Sequence, residues 1–268
     1  MRKVMAGAAV ALLASGLGGC ASLGGGDDSV AAPEDRTAAG VEDRALARAA
    51  IGREDMLTQM AFWAADYGTN PEDIAAARGF AEALRQGGRH DRAVAVSIEA
   101  LRRHGGDPSL WRSLGLAYLA SGRPQEALQP LALLARAEPD DVDSRSALGV
   151  ALDQLERFED ARMAYREALA IRPDDPRALT NLGVSFLLTG EAEEAEAVLR
   201  QAAALTGAPA EARQNLAIAL GLQGRLDEAE AIARVDLPPA MAAENVSYLR
   251  GLFEDPRRWD DLDAALRR

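Results

Sequence analysis

Few residues in this 268-residue chain have the types and spacing that chemistry needs. Zinc needs histidines, cysteines or carboxylates at short, regular intervals. His90 and His104 are the two histidines, and both stand far from the single cysteine, Cys20. His90 is expected in a turn between helices and His104 at a helix end, both exposed, either solvated or interacting with a helix dipole. Residues 138–144, "EPDDVDS", carry enough oxygens for calcium but lack the glycine and distal glutamate of a calcium loop. Capping of a helix start accounts for them better. The sequence holds no phosphate-cradling glycine loop and no nucleophile elbow. The reading is non-enzymatic, with no metal and no cofactor expected.

Cys20 has a different role. Arg2 and Lys3 give a positive start, and residues 4–17 are apolar or small without a charge. That is the layout of a secretory signal peptide, too short to span a bilayer as an ordinary helix. The stretch Leu17-Gly18-Gly19-Cys20 resembles the lipobox of bacterial lipoproteins. The resemblance implies cleavage before Cys20 and acylation of its thiol and new amino terminus, so residues 1–19 are expected to be a lipoprotein signal. Ala21, where an aspartate would retain the protein at the inner membrane, implies sorting to the outer membrane, with the body facing the periplasm. The alternative is a plain secreted protein with an incidental thiol. Residues 20–39 are rich in Gly, Ala, Asp and Ser without an apolar period, and read as the acylated cysteine and a flexible linker.

The formal charge of −12 argues against nucleic acid, whose phosphates need a basic surface. Acylation of Cys20 would leave no thiol for a disulfide, so the body must be held by its core. Aromatics are scarce and Ala and Leu abundant, which favours close helix contacts over a sheet.

Residues 142–175, "VDSRSALGVALDQLERFEDARMAYREALAIRPDD", align with residues 176–209, "PRALTNLGVSFLLTGEAEEAEAVLRQAAALTGAP". The period is 34 residues. Position 8 of the unit is Ala81, Gly115, Gly149, Gly183 and Ala217; position 20 is Ala93, Ala127, Ala161, Ala195 and Ala229. Position 15 is Gly88, Gly122, Gly190 and Gly224, with Glu156 as the exception. Each unit shows two amphipathic, helix-length stretches separated by Gly or a Pro-Asp cluster. Small residues at 8 and 20 let the helices approach. Leu148, Leu152 and Tyr165 fill the space around them in one unit, and Asp140, Asp141, Asp174 and Asp175 precede helix starts, where they can cap. Pro130 falls inside a second helix and is expected to kink it.

This pattern resembles the tetratricopeptide repeat, most fully at Trp111, Leu114, Gly115, Tyr118, Gly122, Ala127 and Pro139. The resemblance implies an all-α fold, a right-handed superhelix of antiparallel helix pairs. Five units follow at 74–107, 108–141, 142–175, 176–209 and 210–243, after a divergent helical unit at 40–73. Residues 234–243 break the last second helix at Pro238. Residues 244–268 read as one or two capping helices, with Trp259, Leu262 and Leu266 on an apolar face. One repeat cannot bury its apolar face alone, so the units must stack.

In this family the concave groove is lined by first-helix positions 2, 5, 9, 12 and 13. Here that implies an aliphatic row of Leu116, Val150, Val184 and Ile218, with Leu119, Leu187, Leu188 and Leu222 around it. Arg112, Asp143, Ser146, Asp153, Arg177, Thr180 and Gln214 are its polar members. Asn181 and Asn215, at position 6, match asparagines that bind a peptide backbone in some relatives. Such a groove suits an apolar or amphipathic peptide. Alternatively the aliphatic row packs between adjacent first helices, and the asparagines cap or bond between repeats. No lysine lines the groove, so the basic clamp of chaperone-binding members is not matched.

The lipobox, linker, repeats and ending "DLPPAMAAENVSYLRGL" together resemble the TadD-type lipoproteins of tight-adherence (Flp-type) pilus assembly. That implies an outer-membrane scaffold whose partner is the secretin or another pilus-assembly protein. The other reading is an adaptor of type IV pilus secretin assembly, outer-membrane barrel assembly or cell-wall synthesis.

Overall fold

The computed structural model describes residues 38–254. The signal segment, Cys20, almost all of the linker and the positions Trp259, Leu262 and Leu266 lie outside the described residues. Among the described residues every regular element is an α-helix. Two helices come first, α1 (Ala38–Ile51) and α2 (Met56–Thr69). The first helices of the repeats are α3 (Ile74–Gln86), α5 (Pro108–Ala120), α7 (Val142–Gln154), α9 (Pro176–Leu188) and α11 (Ala210–Leu222). The second helices are α4 (His90–His104), α6 (Pro124–Ala137), α8 (Phe158–Ile171), α10 (Ala192–Ala204) and α12 (Leu226–Ala233). Both series restart every 34 residues. The helix α13 (Pro239–Glu254) ends the described chain.

The chain forms two compact units whose boundary falls between Leu134 and Ala135, inside α6. In the unit before it, α3 packs on α2, α4 and α5. Arg48 of α1 reaches Asp66 of α2 at 2.6 Å and Asp73, the cap of α3, at 2.7 Å. In the unit after it, each helix packs on the next, and α7, α9, α11 and α13 form a row. Each unit is thus an all-α stack of helix pairs of the solenoid kind.

Side-chain caps start four of the five helices that open repeats; α11 follows Pro209 and has none. Asp73, Asp107 and Asp175 each accept two backbone N–H groups, and Asp141 accepts that of Ser144 at 3.1 Å. Capping by the acidic run before α7 is therefore the work of Asp141, as is that of Asp175 before α9. Pro108 and Pro176 occupy the first helical position, where a missing N–H is harmless.

The 34-residue pattern has a steric cause. A Cβ on Gly149 would stand 2.5 Å from the Tyr165 ring, one on Gly183 2.4 Å from Leu199, and one on Gly115 2.6 Å from Leu131. Position 8 is thus pressed against position 24 of the partner helix. The five alanines at position 20 are each 0% exposed. In these three units the helices leave no room for a methyl at position 8, where Ala81 and Ala217 carry one in the first and fifth, and overpacking there costs about 1–3 kcal/mol.

The turn between paired helices needs a left-handed residue at position 15. Gly88, Gly122, Gly190 and Gly224 have φ between 69° and 80°. Glu156 holds the same place with φ 58°, the one non-glycine residue with positive φ among those described. For an L-residue that conformation costs roughly 1–2 kcal/mol. Glu156 is exposed, so its replacement removes strain and no packing. Glu156→Gly is expected to raise unfolding stability by about 1 kcal/mol in urea titration; a loss would show that the turn is not strained.

Three expectations need correction. The capping helix begins at Pro239, not near residue 244, because Pro239 fits a first helical turn. The fifth unit's border at 243 therefore falls inside α13. The helix α6 contains Pro130 in its interior, and that residue is buried. Finally, His90 and His104 are half-buried, not exposed. His90 opens α4, and its Nδ1 and the Nε2 of His104 are shielded and lack a hydrogen-bond partner.

Candidate functional site

Within the unit from Ala135 on, the row of first helices carries an accessible stripe at repeat positions 2, 6, 9 and 13. That spacing, i, i+4, i+7 and i+11, is one helix face. On α9 the stripe is Arg177, Asn181, Val184 and Leu188; on α11 it is Glu211, Asn215 and Leu222, with Ile218 at position 9 closed into the core. On α7 it is Asp143, Ala147, Val150 and Gln154. On α9 and α11 a charge sits at one edge, an asparagine amide next to it, and aliphatics beyond; on α7 alanine replaces the amide and Gln154 ends the stripe.

The predicted groove residues divide into two groups. Val150, Asn181, Val184, Leu188, Gln214, Asn215 and Leu222 are half-buried, so each keeps an open edge. Arg112, Leu116 and Leu119, on α5 in the other unit, are also half-buried. Leu187, Ile218, Thr180 and Ser146 are instead interior, at 0%, 5%, 5% and 9% exposure. Leu187 and Ile218 belong to the core built with Leu199, Leu216 and Leu220. The Thr180 hydroxyl donates to the Pro176 carbonyl at 2.6 Å, within its own helix. The Ser146 hydroxyl is buried without a partner. Exposure is therefore not fixed by repeat position alone: Ser146 and Thr180 at position 5 and Leu187 at position 12 are covered, while Arg112 and Gln214 at position 5 and Leu119 and Asp153 at position 12 stay half-buried.

The amides of Asn181 and Asn215 form no hydrogen bond with another described residue, and neither does that of Gln214. The capping alternative for the asparagines is therefore not what the geometry displays. Each amide brings two donors and an acceptor to the stripe, beside Val184, Leu188 and Leu222, which rest on the core behind them.

Sequence reading missed a buried polar network behind this stripe. Asp153 of α7 accepts the Tyr165 hydroxyl of α8 at 2.9 Å and the Ser185 hydroxyl of α9 at 2.7 Å. Burial pushes the Asp153 carboxyl up to about 6, the two hydroxyls and Arg162 opposing it. Burial also raises the Tyr165 phenol, and the Asp153 charge adds to this. Next to this group, Arg162 has a side chain only 3% exposed. It donates to Glu191 at 3.0 Å, to Glu159 at 3.1 Å, to the Ser185 carbonyl at 3.2 Å and to Thr189, and it lies 4.3 Å over the Phe186 ring.

At the next repeat interface the polarity reverses. Glu196 stands 34 residues after Arg162, and Arg225 stands 34 after Glu191. Arg225 donates to both Glu196 oxygens at 2.7 Å, and Gln223 adds a bond at 2.8 Å. Against desolvation, the hydrogen bonds from Gln223 and Arg225 hold the Glu196 carboxyl below the usual range. A signal existed: position 16 is Arg in four units and Glu only at 191.

Among the described residues no group of His, Cys, Asp and Glu is arranged to hold a metal ion, and no helix is long and apolar enough to cross a membrane.

Tetratricopeptide-repeat profiles match residues 78–142, 146–210 and 210–237, together more than half of the chain. The chain belongs to the tetratricopeptide-repeat family. This repeat protein is similar in structure to a thermophilic tetratricopeptide-repeat protein of Thermus thermophilus, with 26% identity, 69% of this chain and 96% of that one covered, and TM-score 0.53. It is similar to MamA of strain AMB-1, with 26% identity, 60% and 94% coverage and TM-score 0.52. The likeness to MamA from Desulfovibrio magneticus RS-1 is one of fold, at 19% identity, 62% and 90% coverage and TM-score 0.52. A search of curated proteins returns no significant match. Tetratricopeptide repeats act as protein-interaction scaffolds, and the accessible stripe of this repeat protein is of the kind such a scaffold uses.

Proposed function

We propose that the chain is a lipid-anchored, non-enzymatic adaptor of the outer membrane. It holds a protein partner of the tight-adherence (Flp-type) pilus apparatus, the secretin or another assembly component, along the first helices of its repeats. The observation that carries the binding role is the pair of unpartnered amides, Asn181 and Asn215, repeated at the same position beside half-buried Val184, Leu188 and Leu222. An extended segment offers one backbone group for each such amide and side chains for the aliphatics. The lipobox-like stretch ending at Cys20 supports the anchor, and the ending of the chain supports the pilus pathway.

Pull-down from detergent-solubilised envelopes tests the reading, using the intact protein and the Asn181→Ala/Asn215→Ala variant. The amides have no internal partner, so helicity and thermal midpoint should be unchanged. Partner recovery should fall about tenfold, as expected for loss of two hydrogen bonds of about 0.5–1.5 kcal/mol each. Equal recovery would move the interface off the stripe. Recovery of barrel-assembly or cell-wall proteins in place of pilus components would overturn the pathway. In the same cells Cys20→Ser should shift the protein from the membrane to the soluble fraction, because several acyl chains each contribute about 0.8 kcal/mol per buried methylene. Retention in the membrane would rule out the anchor.

A further inference from the structure

Asp153 is a charge without a counter-ion. Both its oxygens take a hydroxyl, from Tyr165 and Ser185, and it forms no ion pair among the described residues. Arg162 lies close enough to act on it electrostatically, yet its two terminal nitrogens are directed at Glu159, Glu191, Thr189 and the Ser185 carbonyl, and its buried Nε makes no hydrogen bond to Asp153 or any other group. The same three places in the next repeat are Leu187, Leu199 and Ala219, each 0% exposed. An apolar solution is therefore available to this fold one repeat further on. Asp, Tyr and Ser occupy the places here without an internal charge to balance them, and such breaks of local rule concentrate at functional positions.

The carboxylate is also reachable. Asp153 is half-buried, with Val150 one turn before it on α7 and the exposed Gln154 next to it. Two hydroxyl donors fix its orientation, and each oxygen keeps lone-pair capacity for another donor. Desolvation keeps the carboxyl high, which means that a cation brought to it would find a poorly compensated charge.

We propose that Asp153 is the recognition point for a basic side chain, arginine or lysine, of the segment bound along the first helices from α7 on. This rests on the binding role assigned to the stripe above. The segment it fits carries one cation among aliphatic residues. Arginine can approach the carboxylate with a planar fork of donors and lysine with a single ammonium. A strongly acidic chain attracts such a segment before contact, and Asp153 sets its register on the helices.

Selection from a random nonapeptide phage library against the full chain tests this, with wild type, Asp153→Asn and Asp153→Glu side by side. Wild type should enrich arginine or lysine at one position flanked by aliphatics. Asp153→Asn should keep the aliphatics and lose the basic preference; Asp153→Glu, which keeps the charge, should retain it. A synthetic peptide of the selected sequence should lose about tenfold in affinity for wild type when its basic residue becomes glutamine, and nothing for Asp153→Asn. A basic preference that survives in Asp153→Asn, or aliphatic enrichment without one in wild type, overturns the inference and leaves the stripe standing. Recovery of no peptide by any of the three proteins overturns both.

Discussion

Arg162→Ala is expected to destabilise the protein by about 3–5 kcal/mol, the range for breaking a buried ion pair from one side. Arg162 is 2% exposed and joins α8 to α9 and the turn after it, where the Ser185 carbonyl, Thr189 and Glu191 accept its protons. Removing it leaves the Glu191 carboxylate, 28% exposed, without that cation, and strips the Phe186 face of its guanidinium. Urea unfolding at neutral pH measures the loss. The reversed pair Arg162→Glu/Glu191→Arg should recover most of it, because Glu196 and Arg225 already hold that polarity at the following interface. A single-variant loss under about 1 kcal/mol would place the pair among surface ion pairs. Failure of the reversed pair to exceed the single variant would make the local shape, not the charge pairing, decisive.

Asp153→Asn is expected to stabilise the protein at neutral pH. The Asp153 carboxyl is raised from 3.8 to about 6 on folding, mainly by burial. A raised carboxyl binds its proton more tightly in the native state. Its contribution is therefore complete below about pH 4 and is lost as pH climbs through about 6. The loss is about 2–3 kcal/mol after discounting for partial exposure. Asn keeps the acceptor for Tyr165 and cannot ionise. The variant should thus be about 2 kcal/mol more stable than wild type at pH 7.5 and equal to it at pH 4. Burial and the Asp153 charge raise the Tyr165 phenol, so it titrates far above this window. A gain that is the same at both pH values would mean that ionisation is not the cause.

Much of the architecture was legible because a repeat states its rules several times. The 34-residue period located helices that begin at Ile74, Pro108, Val142, Pro176 and Ala210, since position 8 must stay as small as Gly or Ala where it meets the partner helix. Glu156 stood out from four glycines and proved to hold their left-handed turn. The end of the array was less legible. Proline breaks a helix in its interior and opens one at its first turn, and Pro239 does the second.

The sequence by itself determined the family, the helix starts and the row of aliphatics and amides from which a binding face can be drawn. Only the tertiary structure decided which of those residues stay open. Leu187 and Leu188 are adjacent in sequence and alike in chemistry, yet Leu187 is sealed in the core and Leu188 keeps an edge. The difference is a rotation of about 100° around the helix axis, which has meaning only once the neighbouring repeat is in place. The charge network was hidden for the same reason. Arg162 and Glu191 are 29 positions apart, as are Glu196 and Arg225, on helices that meet only when repeats stack. Burial of a charge is a property of that stacking, and no single helix carries it.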